Sequence, residues 1–270
     1  AAFAQLCGEL LAGRRPAGRI VEGGRPELSG LARPYAEYSD ADLRTRFTYV
    51  ETTRGCPFRC AFCLSSRDPV VRRWPLEETL SDLDLLIRRG ARRFKFVDRT
   101  FNLEPDRAER VLRFVLERMP PGLVVHFELA PGRLPDRVRD LLRRFPPDSL
   151  RLEVGVQTFD EAVAARVGRR QTNAEVEETL RFLRQETRAH VHADLLAGLP
   201  GEGLDSFGRG FDRLLALGPA EIQVGILKRL HGTEIARRAD EWGLAFDPEP
   251  PYPVLRTRDL DREDLARLSR

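Results

Sequence analysis

Lysine is nearly absent from this chain: Lys95 and Lys228 stand alone among 45 basic residues, and arginine supplies the rest. Forty-two acidic residues bring the formal net charge down to +3, and pairs such as Arg143-Arg144 and Arg237-Arg238 fall where solvated helix faces are expected. That pattern reads as codon bias and argues against a nucleic-acid partner. Four cysteines in 270 residues are too few for a disulfide scaffold. No stretch approaches the ~18 consecutive apolar residues of a membrane span, and the opening Ala1-Ala2-Phe3-Ala4-Gln5 lacks the basic-then-apolar layout of a secretory signal. A soluble, cytoplasmic protein with no membrane partner is expected. The chain does not open on methionine, and Phe3 to Leu11 reads as an amphipathic helix with no start signal before it, so residue 1 is expected to lie inside a longer protein. Wholesale disorder is excluded, because a 41% hydrophobic fraction suffices for a core despite 32% charged residues.

What is present is a regular alternation. Residues 13–45 are rich in Gly, Pro and charge and read as a linker. Beyond them, β-branched and aromatic runs recur at Phe47–Thr52, Phe94–Val97, Leu123–Phe127, Leu150–Val154, His190–Leu195 and Glu221–Ile226. Between them, apolar residues at three and four spacing (Leu80, Leu83, Ile87; Val111, Leu112, Val115, Leu116; Val176, Leu180, Leu183) read as amphipathic helices. Pro75 with Glu77 and Glu78, Pro105-Asp106 and Pro135-Asp136 mark helix starts. Six strands at about 30 residues per unit have the size of parallel βα repeats, which right-handed crossovers build into an α/β sheet or curl into a barrel. Ligands then sit at the carboxyl edge of the strands.

Immediately after the first strand lies Gly55-Cys56-Pro57-Phe58-Arg59-Cys60-Ala61-Phe62-Cys63, a C-x3-C-x2-C loop. Three thiolates on one loop can hold three corners of a cubane iron–sulfur cluster and leave the fourth iron without a protein ligand. A structural zinc would need a fourth ligand, and the nearest candidates, His126 and Cys7, belong to other elements.

This loop, with an aromatic residue before its third cysteine and a strand before its first, resembles the signature of the radical S-adenosylmethionine (SAM) family. The resemblance spans roughly residues 47–227 and implies a partial (β/α)6 TIM-like barrel, a 4Fe-4S cluster on Cys56, Cys60 and Cys63, and SAM chelated at the open iron. It further implies reductive cleavage of SAM to a 5′-deoxyadenosyl radical, with electrons from a low-potential donor such as a flavodoxin or ferredoxin. Tyr49–Cys60, Phe94–Asn102 and Gly225–Thr233 look like the subgroup that carries an N-terminal cobalamin-binding domain. On that reading residues 1–45 are a connector and the tail of such a domain, 46–230 the barrel and 231–270 a short C-terminal extension, with cobalamin used by the full-length protein.

The resemblance also suggests a SAM site. Where the family commonly has Gly-Gly-Glu after the second strand, this chain has Asp98-Arg99-Thr100, making Asp98 the substitute acceptor for the SAM ammonium. Period-two alternation puts Glu153, Gly155 and Gln157 on one face of the fourth strand, where the polar side chains suit ribose or substrate. Arg169 occupies the position that supplies an arginine to the SAM carboxylate, and Phe62 and Leu227 are the candidates beside adenine. On the third and fifth strands, His126 with Glu128 and His190 with His192 and Asp194 share faces; Glu128 and Asp194 are the candidate proton-transfer groups.

The expected activity is therefore that of a cobalamin-dependent radical SAM enzyme, with methyl transfer as one outcome, acting on a small-molecule or peptide substrate. A methylthiotransferase-like or coproporphyrinogen oxidase-like enzyme without cobalamin is the alternative enzyme reading. A plain iron–sulfur electron carrier is the non-enzymatic one, and it gains nothing from an open iron.

Overall fold

The computed structural model describes residues 2–21 and 23–269. The chain divides into two compact units, Ala1–Glu37 and Tyr38–Arg270. In the first unit Ala2–Leu11 forms the expected helix, where the Gln5 amide donates to Glu9 Oε1 at 3.1 Å one turn away. Two 3-10 turns, Leu28–Gly30 and Pro34–Glu37, interrupt otherwise irregular backbone.

The second unit starts at Tyr38, earlier than the barrel boundary expected at residue 46. Residues 40–45 are helical, capped reciprocally by Ser39 and Asp42. Arg89 ties this segment to the barrel by donating to the Tyr38 carbonyl at 2.6 Å and to Asp40 Oδ1 at 3.0 Å.

Six parallel strands form one sheet in sequential order: β1 Thr48–Val50, β2 Arg93–Phe96, β3 Val124–Leu129, β4 Leu150–Gln157, β5 His190–Ala197 and β6 Glu221–Ile226. Helices α1 Leu76–Arg88, α2 Pro105–Glu117, α3 Asp136–Arg143, α4 Asn173–Glu186 and α5 Leu204–Leu217 connect them in turn. The expected α/β partial barrel is thus present. Local chemistry explains the helix ends. Pro105 at the first position of α2 forfeits no needed amide, Thr172 and Glu175 cap α4 reciprocally, and Gly218 ends α5 with φ 65°.

The strand period separates core from site. Val125, Phe127 and Leu129 of β3, Leu150, Leu152, Val154 and Val156 of β4, and Val191, Ala193, Leu195 and Ala197 of β5 are buried; their alternates are more accessible and include the polar His126, Glu128, Glu153, Gln157, His192 and Asp194. Leu80, Leu83, Ile87, Val111, Leu112, Val115, Val176, Leu180 and Leu183, which the spacing picked out, are buried; Leu116 is only partly so, and Leu86, Ala108 and Phe182 are buried as well. Burying each such side chain contributes roughly 1.5–3 kcal/mol, which is why the outward face is held apolar so strictly.

The C-terminal residues add an antiparallel pair, Ala245–Phe246 with Val254–Arg256, and a helix, Arg262–Leu268. They are integral to the second unit. Trp242, Leu244, Leu260 and Leu265 share one hydrophobic cluster with Leu199 and with Ala61 of the cysteine loop. Among the described residues, no helix is long and apolar enough to cross a membrane.

Candidate active site

The cysteine loop leaves the carboxyl end of β1 and is clamped on several sides. Thr53–Arg54 pairs antiparallel with Arg72–Arg73, the Cys56 amide donates to the Asp68 carbonyl at 3.0 Å, and the Ala61 amide donates to the Val167 carbonyl at 2.9 Å. The Ile235 amide in turn donates to the Ala61 carbonyl at 2.9 Å. Gly55 is required here: its φ of 101° is left-handed, and a Cβ would collide with the Val70 carbonyl oxygen. Glu51 anchors the flank by accepting from Trp74 Nε1 at 2.9 Å and Arg54 Nε at 2.8 Å.

All three loop cysteines are free; Cys56 and Cys60 are buried and Cys63 is half-buried. Burial pushes the Cys56 and Cys60 thiols up, while the Thr100 side chain on Cys56 and Arg169 on Cys60 pull the other way. Among the described residues, no group of three or more His, Cys, Asp or Glu side chains is drawn together around a single ion position. Three soft thiols on a clamped loop, one beside a guanidinium, are a donor set that fits an iron–sulfur cluster.

Arg169 joins that loop to β4. Its Nη1 lies 3.8 Å from Cys60 Sγ, its Nη2 donates to the Gly155 carbonyl, and its buried Nε has no partner. A partnerless guanidinium N–H is a donor of the kind that a SAM carboxylate needs. Gln157 sits at an irregularity in the β4–β5 register with φ 71°, its amide close to Gly155, where a Cβ would stand 2.9 Å from Gln157 Nε2. Phe58, Arg133, Arg169, Arg170 and Gln171 line a cavity of about 270 Å³ next to the loop.

Two expected cofactor residues stand elsewhere. Asp98 is 1% exposed, and its oxygens accept from the Thr52 amide at 2.9 Å, the Thr52 hydroxyl at 2.5 Å and the Thr53 hydroxyl at 2.6 Å. With its lone pairs directed to the chain's own donors, it braces the root of the cysteine loop instead of offering an ammonium site. Leu227, also 1% exposed, lies within the hydrophobic cluster, its backbone spliced between Ala197 and Val254. Its side chain therefore faces the core, not an adenine slot, whereas Phe62 and Ile226 pack on the same cluster and are only partly buried.

The lumen face gathers the remaining candidates. Glu128, Glu153 and His192 are neighbours in register across β3, β4 and β5, and Asp194 lies opposite Gly155. His126 Nε2 approaches Glu153 Oε2 to 3.3 Å, Lys95 Nζ approaches the same oxygen to 3.8 Å, and Arg99 stands 3.9 Å from Glu128. His192 Nε2 and Asp194 Oδ1 are 3.3 Å apart but not aligned as a hydrogen bond, and both atoms are buried without another partner. The carboxylates separate electrostatically. His126 holds Glu153 below the usual range, whereas burial and the Glu153 charge raise Glu128. Burial, then the charges of Glu153 and Glu128, push Asp194 up to about 7. His190 is exposed and pairs with Glu221 at 3.6 Å, away from this cluster. Lys95 is a lumen residue that alternation alone does not single out; its usable signal is being one of two lysines in an arginine-rich chain.

Comparison with known proteins agrees with this geometry. The chain is 26% identical over 193 residues to the ribosomal protein uS12 methylthiotransferase RimO of Porphyromonas gingivalis, a match covering 65% of this chain and 43% of that protein. The chain thus spans less than half the length of that curated relative. Among solved structures it resembles the radical SAM methyltransferase TsrM of Kitasatospora setae, solved with tryptophan and a SAM analogue, at a TM-score of 0.67 and 19% identity, covering 78% of this chain and 43% of that one. It also resembles the cobalamin-dependent SAM radical enzyme OxsB, solved with aqua-cobalamin and SAM, at a TM-score of 0.58 and 17% identity, covering 83% and 40%. At these identities the structural likeness concerns the fold. The sequence profile of the radical SAM superfamily matches residues 50–214, more than half of the chain, and with the cysteine loop at the carboxyl edge of a six-stranded parallel barrel this chain belongs to that superfamily, whose enzymes use a 4Fe-4S cluster and SAM.

Proposed function

We propose that this chain is the catalytic barrel of a cobalamin-dependent radical SAM enzyme that transfers a methyl group to a small-molecule or peptide substrate. The observation that carries the reading is Arg169 at the edge of a polar lumen, its Nη1 3.8 Å from Cys60 Sγ and its Nε without a partner. When bound, the cluster and SAM supply a one-electron cleavage of the sulfonium that yields a 5′-deoxyadenosyl radical, with electrons from a flavodoxin- or ferredoxin-type donor.

The chain's own residues do the rest. Cys56, Cys60 and Cys63 hold the cluster as thiolates, and the Asp68, Val167 and Ile235 backbone contacts fix their loop. Arg169 receives the SAM carboxylate through its free N–H. Glu153, kept ionised by His126 and Lys95, receives the ammonium or the ribose, aided by Gln157. Phe62 offers a flat apolar surface to adenine. Asp194, pushed up to about 7, and Glu128, raised by burial and the Glu153 charge, lie in the same lumen and exchange a proton with the substrate. The assignment to the cobalamin-using branch is supported by the likeness to TsrM and OxsB.

A second reading, methylthio transfer without cobalamin, is favoured by the sequence match to RimO. Purification of the gene's complete product with hydroxocobalamin supplied separates the two. Corrinoid absorbance retained through gel filtration, about four irons per chain on anaerobic reconstitution, and SAM cleavage after reduction are expected. A complete product that takes up iron and cleaves SAM but retains no corrinoid overturns the cobalamin assignment. One that keeps its cluster after all three cysteines are replaced by alanine overturns the cysteine assignment as well.

A further inference from the structure

Many arginines of the barrel unit lie close to a carboxylate. Arg54, Arg72, Arg73, Arg139, Arg181 and Arg238 each lie within 4.0 Å of one, and many more follow. One group of basic residues without such a carboxylate surrounds a cavity. Arg229, His231 and Arg237, with Gly232, Ala236, Pro248 and Tyr252, line a cavity of about 690 Å³, and no acidic side chain lines it. Among the described residues no carboxylate lies within 4.0 Å of Arg229, His231 or Arg237, and Arg237 spends one N–H on the Gly232 carbonyl at 3.1 Å.

Backbone contacts hold the frame of the cavity, and its basic side chains are exposed. Arg229 Cζ lies 5.8 Å from the Tyr252 ring centroid, and the Arg229 amide donates to the Tyr252 carbonyl at 2.9 Å, so the two walls are fixed to each other. Gly232 turns with φ 79°, and a Cβ there would meet the Arg67 guanidinium at 2.8 Å, which brings the cysteine loop's following turn against the same wall. The Ile235 amide bond to Ala61 locks this segment onto the cysteine loop itself. Its volume lies within the ~300–1,000 Å³ typical of small-molecule sites, and its concavity suits a small ligand better than a flat protein surface.

We propose that this pocket binds a phosphate-bearing small molecule, its phosphoryl or diphosphate group held by Arg229, Arg237 and His231 and its remainder resting on Tyr252. A single carboxylate is satisfied by one guanidinium fork, whereas two guanidinium groups with an imidazole beside them match a multiply charged oxyanion. Placed two residues beyond Leu227 at the carboxyl edge of β6, and locked to the cysteine loop, the pocket is suited to anchor the phosphate tail of a substrate whose reactive end enters the lumen. That last assignment rests on the function proposed above; anion binding itself does not.

Titration calorimetry of the purified protein with inorganic pyrophosphate tests the site without turnover. Saturable binding tighter than about 1 mM, weakening with added salt, is expected. The Arg229→Ala/Arg237→Ala variant should lose about tenfold or more in affinity, and Arg144→Ala, an exposed arginine on another helix end, should lose none. Both changes are at exposed positions, and an unaltered melting temperature and iron content confirm an intact fold and loop. Succinate as a second arm distinguishes carboxylate recognition and should bind at least about tenfold more weakly than pyrophosphate. Equal pyrophosphate affinity in wild type and double variant, or equal affinity for succinate, overturns the proposal. So does retention of a highly acidic electron-donor protein by a chain that does not bind pyrophosphate, which would make the patch a protein-docking face.

Discussion

Asp98 and Thr52 are joined twice: the carboxylate accepts the Thr52 amide at 2.9 Å and the Thr52 hydroxyl at 2.5 Å, and it also accepts the Thr53 hydroxyl at 2.6 Å. The end of β2 thereby grips the end of β1 three residues before the first loop cysteine. Burial raises this acid while its three donors oppose the shift. Asp98→Ala leaves those donors facing an apolar void and is expected to destabilise the protein by about 2–4 kcal/mol. Reconstituted iron per chain should fall with it, and Asp98→Asn should fall between the two. Urea unfolding combined with iron analysis checks this; full iron loading and unchanged stability in the alanine variant would remove the brace.

Arg169 meets both the cysteine loop and β4, so its removal is expected to act on SAM directly. Arg169→Ala should weaken SAM binding by about 1.5–3 kcal/mol, and Arg169→Lys should recover only part, because an ammonium lacks the planar fork. Binding followed through the perturbed spectrum of the reconstituted protein, normalised to iron content, gives the measurement. An unchanged dissociation constant would reduce Arg169 to a clamp on the Gly155 carbonyl.

Asp194 sets the expected pH dependence of turnover. Glu153, Glu128, His192 and Arg169 act on it, Gln223 lies opposite it in register, and its acid is pushed up to about 7. As the proton acceptor it must be ionised, so activity is expected to rise with pH through about 7. Asp194→Asn should cost about 100-fold or more in rate and flatten that rise, with SAM binding largely kept. A pH–rate profile that is the same in both proteins would assign the rise to another group.

Glu202 gives a stability prediction outside the lumen. It is 2% exposed, accepts from the Thr158 hydroxyl, and has one oxygen without a partner; burial pushes it up to about 7. Because the folded value lies above the unfolded one, the folded state holds the extra proton between them, and stability is lost as pH rises from about 4.5 to about 7. Glu202→Gln should therefore raise stability by about 1–3 kcal/mol at pH 8 and leave it unchanged near pH 4. Thermal or urea unfolding at the two pH values is the check. A variant equally stable to wild type at pH 8 would mean that the buried carboxylate costs nothing.

Much of the barrel was legible in order along the chain. The runs at Leu150–Val154 and His190–Leu195 became β4 and β5 because alternation every second residue is a local property, and the stripes Leu80-Leu83-Ile87 and Val176-Leu180-Leu183 became buried helix faces for the same reason. Short pieces were not legible. Thr53–Arg54 with Arg72–Arg73, and Ala245–Phe246 with Val254–Arg256, are too brief to show a period and exist only because a distant partner pairs with them. The helix at Asp40–Thr45 lay in a stretch that composition marked as linker; its Ser39–Asp42 cap was the overlooked signal.

The sequence by itself determined the parallel βα repeat, the polar face of each strand and the thiol loop, since each is written in the spacing of nearby residues. Only the tertiary structure decided which of those polar groups are free. Asp98 is spent on Thr52 and Thr53, and the oxygens of Glu153 and Asp194 are set apart by His126, Lys95 and their mutual repulsion; among apolar candidates, Leu227 is spent on the core. These outcomes depend on burial and on charges brought together from strands some thirty residues apart in the chain, and no local pattern encodes either quantity.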